Sequence, residues 1–285
     1  MLKIPLPDHL RIHWAIGKAV FIANTPSSLI FHVCCRDHGN AVVKILKADG
    51  VHERPGMAFL DWRKGNGAVR LIDRIGDACL LEDAGTILLR EHRLQHGEAA
   101  ANAIIRDILF RLHAPSDGAW PKMLVALHQH FAPLFERAAW ETDPGLGDAL
   151  RWSAGHAEQL LADQQDIRPL HGDLHHDNII SGGPRGWLAI DPQGLIGDPA
   201  YDVANIFGNP LNAIDDILDP ARIVKLAALF STAIGCSEDK ILRYAVAHAG
   251  LSICWSLETG GTVADNENAS ERFAFLRTMR TRIPA

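Results

Sequence analysis

Between residues 19 and 83 the apolar positions fall into short runs: AVFIAN (19–24), SLIFHVCC (28–35), AVVKIL (41–46), AVRLID (68–73) and ACLLED (78–83). The runs are alternating or continuous, rich in Val and Ile, and bounded by Gly, Asn and Asp, which predicts five strands. Asp37-His38-Gly39-Asn40 predicts a hairpin turn between the second and third. One helix is predicted around 54–64, where Met57, Leu60 and Asp61 fall at helical spacing beside Phe59 and Trp62.

After Gly85 the apolar spacing becomes three and four, as in Ile104, Ile105, Ile108, Leu109 and Leu112. Amphipathic helices are predicted over 86–96, 98–113, 121–140 and 145–163. A short β-like patch follows at 178–191, and three further helical stretches lie near 220–235, 238–257 and 268–282. The order predicts an α+β protein of two lobes: a small β-rich N-terminal lobe over 1–84 and a larger helical C-terminal lobe over 85–285.

Composition narrows the class. The 285 residues are 47% hydrophobic and 22% charged, as in a soluble globular protein with ample core. No apolar run approaches the roughly 20 residues of a membrane span, and MLKIPLPDHLRIHW lacks the layout of a secretion signal. A cytoplasmic protein with no membrane partner is expected. The five cysteines are scattered and form no C-x-x-C pair, which suits a reducing compartment. Residues 1–150 balance 17 acidic with 17 basic residues, whereas 151–285 hold 17 acidic against 11 basic. Such a surface is a poor partner for nucleic acid and can attract a cationic small molecule.

The densest chemistry lies in LHGDLHHDNII (170–180). His171, His175 and His176 with Asp173 and Asp177 have spacings that zinc could use, although neighbours 175 and 176 rarely point at one ion. Phosphoryl transfer explains more. His171, Asp173, Leu174 and Asn178 form the order H-x-D-L-x-x-x-N, and Asp191 follows 13 positions after Asn178 in WLAIDPQG. In that chemistry Asp173 is the catalytic group that receives the proton of an acceptor hydroxyl. Asn178 and Asp191 supply hard oxygens to Mg²⁺ on ATP.

Lys44 in AVVKIL is placed like the strand lysine that binds nucleotide phosphates. Such a lysine needs a carboxylate partner, for which Glu53 is the first candidate and Asp61 the reserve. No glycine-rich loop precedes it; Ser27 and Ser28 in NTPSSLIF could offer N–H and hydroxyl groups to phosphate instead. LLEDAG (80–85) lies at a strand-to-helix junction, where the backbone of Glu82 and Ala84 could meet a purine edge.

HGDLHHDN, WLAIDPQGLIGD and YDVAN together resemble the aminoglycoside phosphotransferases. More narrowly, TPSSLIF, WRKGNGAVRL and RGWLAIDP resemble the branch of streptomycin 6-phosphotransferases and hydroxyurea-resistance kinases, over about residues 10 to 260. The resemblance implies a protein-kinase-like fold and phosphorylation of a small-molecule hydroxyl with ATP and Mg²⁺, as in antibiotic resistance. By matching position it implies Asp173 as base, Asn178 and Asp191 as magnesium ligands, Lys44 as phosphate holder, and Asp202 and His171 as supports of the catalytic loop. It leaves the acceptor open. Streptomycin carries two guanidinium groups, so its site should present carboxylates; Asp198, Asp215, Asp216, Glu258, Asp265 and Glu267 are available, and Trp255 could stack on a guanidinium. The alternatives are a kinase of the same fold acting on another small alcohol or hydroxyurea, or a non-catalytic nucleotide-binding pseudokinase. The joint presence of Lys44, Asp173, Asn178 and Asp191 argues against the last.

Overall fold

The computed structural model describes residues 4–283. The chain runs through α1 (Asp8–His13), β1 (Ile16–Asn24), β2 (Ser28–Cys35), β3 (Gly39–Leu46), α2 (Arg54–Arg63), β4 (Leu71–Ile75), β5 (Ala78–Glu82), β6 (Gly85–Leu88), α3 (Leu89–His96) and α4 (Glu98–His113). It continues through β7 (Val125–Ala126), α5 (Leu127–His130), α6 (Ala132–Trp140), α7 (Pro144–Ala162), β8 (Arg168–Leu170), β9 (Ile179–Gly182), β10 (Leu188–Ala189) and β11 (Leu195–Gly197). The last helices are α8 (Ile214–Leu218), α9 (Pro220–Ile234), α10 (Glu238–Ser256) and α11 (Glu267–Arg280). Short 3-10 segments occupy Ala48–Glu53, Pro199–Gly208 and Val263–Asp265.

Two compact units result: Met1–Leu124 with Ile179–Gly194, and Val125–Asn178 with Leu195–Ala285. The boundary expected at residue 84 therefore moves. Residues 85–124 and the 179–194 segment belong to the first unit, where β6, expected to begin a helix, instead pairs with β9 through Gly85↔Gly182 and Leu88↔Ile180 in a second, three-stranded sheet of order β10-β9-β6. Gly85 has φ +99°, and a Cβ on it would lie 2.5 Å from Gly182 Cα, so the strands approach as only glycines permit. Beyond β10, the N–H of Val69 donates to Ala189 O and that of Ala189 to Gly67 O.

In the first unit the antiparallel sheet has the order β1-β2-β3-β5-β4. Strand alternation turns Phe31, Val33, Ala41, Val43, Ala78 and Leu80 to one face, covered by Leu6, Leu10 and Trp14. Those three covering residues are spaced by four, but α1 is too short for periodicity to reveal. Lys44 follows Val43 and so points to the opposite face, registered between Ile30 and Cys79.

At the end of α2, Arg63 is 1% exposed. Its guanidinium donates to Arg111 O (2.6 Å), Ala114 O (2.9 Å) and Asn66 O (3.3 Å). Carbonyls at a helix C-terminus lack intrahelical partners. One buried fork therefore ties α2 to the end of α4.

The second unit has a three-stranded sheet, β7-β11-β8, and a helical body around α10. Residues of α10 from Tyr244 to Cys254 are continuously buried, against α7, α9, α11 and the Pro199–Gly208 segment. The single helix expected over 121–140 is divided into β7, α5 and α6, with Pro133 in the first turn of α6. Among the described residues no helix is long and apolar enough to cross a membrane.

Arg63→Met should lower the unfolding free energy by about 3 kcal/mol, since three carbonyls lose a charged donor. Urea melts measure this, and Arg63→Lys should restore less than half, because an ammonium cannot serve the three acceptors as a fork does.

Candidate active site

In the first unit the Lys44 ammonium lies 2.5 Å from Glu53 Oε2 and 2.9 Å from Asp191 Oδ1. Glu53 stands at the start of α2, whereas Asp61 is exposed farther along it. Burial works against the Lys44 charge, but Asp191 and Glu53 outweigh it and hold the ammonium above its ordinary range. Asp191 follows the pinned end of β10 and has φ +53°. That left-handed conformation costs a non-glycine residue about 1 kcal/mol. A Cβ on Gly56 would lie 1.8 Å from Pro192 O, and one on Gly194, at φ +72°, 2.3 Å from Pro55 C. The start of α2 and the 192–194 turn therefore meet backbone to backbone, and the two carboxylates are placed by one joint.

The turn before β2 is more closed than expected. Ser28 is buried; its N–H donates to Thr25 Oγ1 (2.9 Å) and its hydroxyl lies 3.0 Å from the same atom. Both groups expected to meet phosphate are spent inside the turn. Ser27 O accepts from Lys47 N–H (2.8 Å), and the Ser27 hydroxyl lies 3.3 Å from Thr25 Oγ1, which leaves the Ser27 N–H as the donor this turn can offer. The Glu82 N–H, expected to face a purine, donates to Arg70 O (3.0 Å), and the Glu82 carboxylate is held by Arg185 (2.5 Å) and Arg70 N–H (2.7 Å). Ala84 O accepts from Gly183 N–H (3.1 Å), so the carbonyl expected to face a purine is occupied and the Ala84 N–H remains.

The second unit builds the candidate catalytic loop, residues 171–178. Leu170 ends β8, paired with Leu195 of β11. The next two amides, of His171 and Gly172, donate to the Asp202 carboxylate at 3.2 and 2.7 Å. Gly172, at φ +83°, makes that turn possible. The Asp173 N–H then donates to His171 Nδ1 (3.2 Å). The Asp173 carboxylate is gripped from both sides: Asn178 Nδ2 donates to Oδ2 (2.9 Å) and Asn205 Nδ2 to Oδ1 (2.8 Å). Asn178 Nδ2 also donates to Asp173 O (2.9 Å), so its own Oδ1 is turned away from the aspartate. Asn205 was not among the sequence candidates. Its signal was an amide within the otherwise apolar stretch VANIF, where an unbonded polar group would be costly.

Burial works to raise the Asp173 carboxyl, but the imidazoles of His175, His171 and His248 outweigh it and bring it below the usual range. His175 Nε2 lies 3.7 Å from Asp173 Oδ2. Nearby in this unit, His130 Nε2 is 2.6 Å from the Tyr201 hydroxyl, and Trp255 meets the His130 and His248 rings edge-on. Burial pushes His248 down to about 3 and His130 to about 4, so both are neutral at neutral pH.

Other candidates separate. His176 is fully buried, and among the described residues no three His, Cys, Asp or Glu side chains gather as a metal site. Asp198 is buried, accepts from Ala200 N–H (3.0 Å) and pairs with Lys240, so it braces the fold and is closed to an acceptor. Asp265 caps Thr262. Asp215, Glu258 and Glu267 are exposed.

A lysine on the third strand with a helix-borne glutamate, and an Asp–Asn loop braced by a buried aspartate, are the working parts of protein-kinase-like phosphotransferases. The fold agrees. A ternary complex of aminoglycoside phosphotransferase APH(4)-Ia with ADP and hygromycin B superposes with a TM-score of 0.64 at 14% identity, covering 95% of this chain and 97% of that one. The chain belongs to the aminoglycoside/hydroxyurea antibiotic resistance kinase family, whose sequence profile matches residues 13–260. It is 39% identical over 256 residues to a streptomycin 3''-kinase of Klebsiella pneumoniae, covering 87% of this chain and 91% of the relative. It is 26% identical over 245 residues to a streptomycin 6-kinase of Streptomyces griseus, covering 78% and 76%. It is accordingly a small-molecule O-phosphotransferase.

Gly56→Ala should disturb the joint that sets Glu53 and Asp191, weakening ATP binding about tenfold in calorimetric titration. The two neutral histidines make a second expectation. Folding keeps them unprotonated, so their stabilisation is complete above the unfolded value of about 6.5 and is lost as pH falls toward 4 and then 3. By pH 5.5 the loss should be about 1 kcal/mol per histidine, and His248→Gln should shrink the difference between urea melts at pH 7.5 and 5.5 by about that amount.

Proposed function

We propose that this chain transfers the γ-phosphoryl group of ATP to streptomycin in the cytoplasm, at the 3''-hydroxyl, and so inactivates the antibiotic. The observation that carries phosphoryl transfer is the Asp173 carboxylate, held between the side-chain amide donors of Asn178 and Asn205. The acceptor is supported by the 39% identity to the 3''-kinase, against 26% to the 6-kinase. The acidic excess of residues 151–285 suits a substrate with two guanidinium groups.

In this reading Asp173 orients the acceptor hydroxyl and receives its proton as the oxygen attacks the γ-phosphorus. The new O–P bond forms as the bond to the bridging oxygen breaks, and ADP leaves. Lys44, kept cationic by its two carboxylates, holds the nucleotide phosphates, with the N–H of Ser27 assisting. The Ala84 N–H meets the adenine edge. Asn178 Oδ1, turned away from Asp173, and the Asp191 carboxylate, 49% exposed, are hard oxygen donors that fit Mg²⁺. When bound, the ion neutralises charge on the β- and γ-phosphates.

A coupled ADP-release assay tests the assignment. Streptomycin should stimulate release, NMR of the product should place phosphate on the 3'' position, and hydroxyurea and simple alcohols should be inert. Phosphate at position 6, or release with hydroxyurea alone, would reassign the acceptor. Asp173→Ala should lower kcat by about 10²- to 10⁴-fold with ATP affinity retained, whereas Asp191→Ala should abolish the Mg²⁺ dependence of nucleotide binding.

A further inference from the structure

Asn205 touches the catalytic carboxylate, yet an amide can face a carboxylate in two ways, through its donor nitrogen or its acceptor oxygen. Something must select the donor. On the far side of Asn205, its Oδ1 accepts from Arg272 Nη2 (3.0 Å) and Asn209 Nδ2 (2.8 Å). Arg272 comes from α11, 67 residues away along the chain, and is 4% exposed. Its Nε donates to Asn268 Oδ1 (3.2 Å). Its guanidinium lies so close to Gly208 that a Cβ there would sit 1.0 Å from Nη1. The charge has thus been brought into the interior and aimed at a neutral amide oxygen.

A guanidinium has donors and no acceptor. Whatever faces it must present oxygen, and a planar amide that presents oxygen on one side presents N–H₂ on the other. We propose that Arg272 acts on Asp173 through Asn205, fixing the amide so that its nitrogen holds the Asp173 carboxylate in the rotamer that receives the acceptor hydroxyl. Asn205 and Arg272 are positioning residues of the transfer step. The proposal rests on the reading of Asp173 as the group that meets the acceptor. Burial lowers Arg272 to about 10, while Glu271 and Asp173 pull it back, so it remains a cation at neutral pH.

Isosteric substitution separates positioning from structure. Asn205→Asp keeps an oxygen for Arg272 and converts a neutral contact into an ion pair, so a purely structural role predicts a folded, active enzyme. Positioning predicts the reverse: the donor to Asp173 is replaced by a like charge, and kcat should fall about 100-fold or more, further than in Asn205→Ala. KM for ATP should stay within about threefold in both. Arg272→Met should lower kcat about tenfold in the wild type and have no further effect on kcat in Asn205→Ala, while Arg272→Lys, which retains a donor, should recover part of the loss. A kcat for Asn205→Asp within about threefold of wild type overturns the proposal, as does a full multiplicative effect in the double variant.

Streptomycin is the acceptor used. Asp173→Ala measured alongside keeps the two ideas apart, because normal turnover in that variant defeats the role of Asp173 whatever Asn205 does. An activity-free reading covers the case of a silent acceptor. The Asn205 side-chain amide signal, assigned by its loss in Asn205→Ala, should move in ¹H–¹⁵N spectra of both Asp173→Ala and Arg272→Met. A signal unmoved by either change also overturns the proposal.

Discussion

A buried ammonium cannot stand alone, and much of the first unit is arranged around that constraint. Lys44 comes from the middle of a sheet, Glu53 from the start of a helix, and Asp191 from a turn 147 residues farther along. Desolvation penalises the cation unless both carboxylates are in place. The Gly85–Gly182 approach and the bonds of Ala189 to 67–69 serve this requirement, because they bring the returning segment to the sheet. The left-handed backbone at Asp191 is a cost accepted there.

The second unit answers an opposite demand. In the role proposed for it, the Asp173 carboxylate must remain ionised and correctly aimed while partly shielded from water. The loop does this with neutral donors: backbone amides on Asp202, and side-chain amides on Asp173. The buried histidines nearby are kept uncharged by desolvation, so the aspartate has polar company without a permanent counter-ion at bonding distance from their side. Amides fix direction as well as polarity, and direction is what in-line transfer requires.

The parts of this arrangement that were legible in sequence are those with local spacing. The strand carrying Lys44, the loop from His171 to Asn178 and the Asp191 turn each announce themselves within about ten residues, and most helix ends agree to within a residue or two. Glu53 could be named because few carboxylates follow Lys44. What escaped depends on distant partners. β6 reads as a helix until Gly182 returns beside Gly85, and that same return moves the boundary away from residue 84. Ser28 looked available because nothing in TPSSLIF shows that Thr25 folds back to take up its N–H and hydroxyl. Ala84 looked available because nothing local reveals Gly183. Asn205 was visible only as a polar interruption in an apolar segment, and its meaning needed Arg272, on a helix with no motif at all.

The discontinuity of the first unit bears on how the protein is made. A growing chain that has reached residue 124 already contains the five-stranded sheet, α2 and α4, but its buried lysine has Glu53 alone for company. Residues 179–194 are synthesised only after 54 residues of the other unit have emerged. Domains made in one stretch can finish folding on the ribosome in order; here the first-made unit must wait, half neutralised, for a segment delivered through its neighbour.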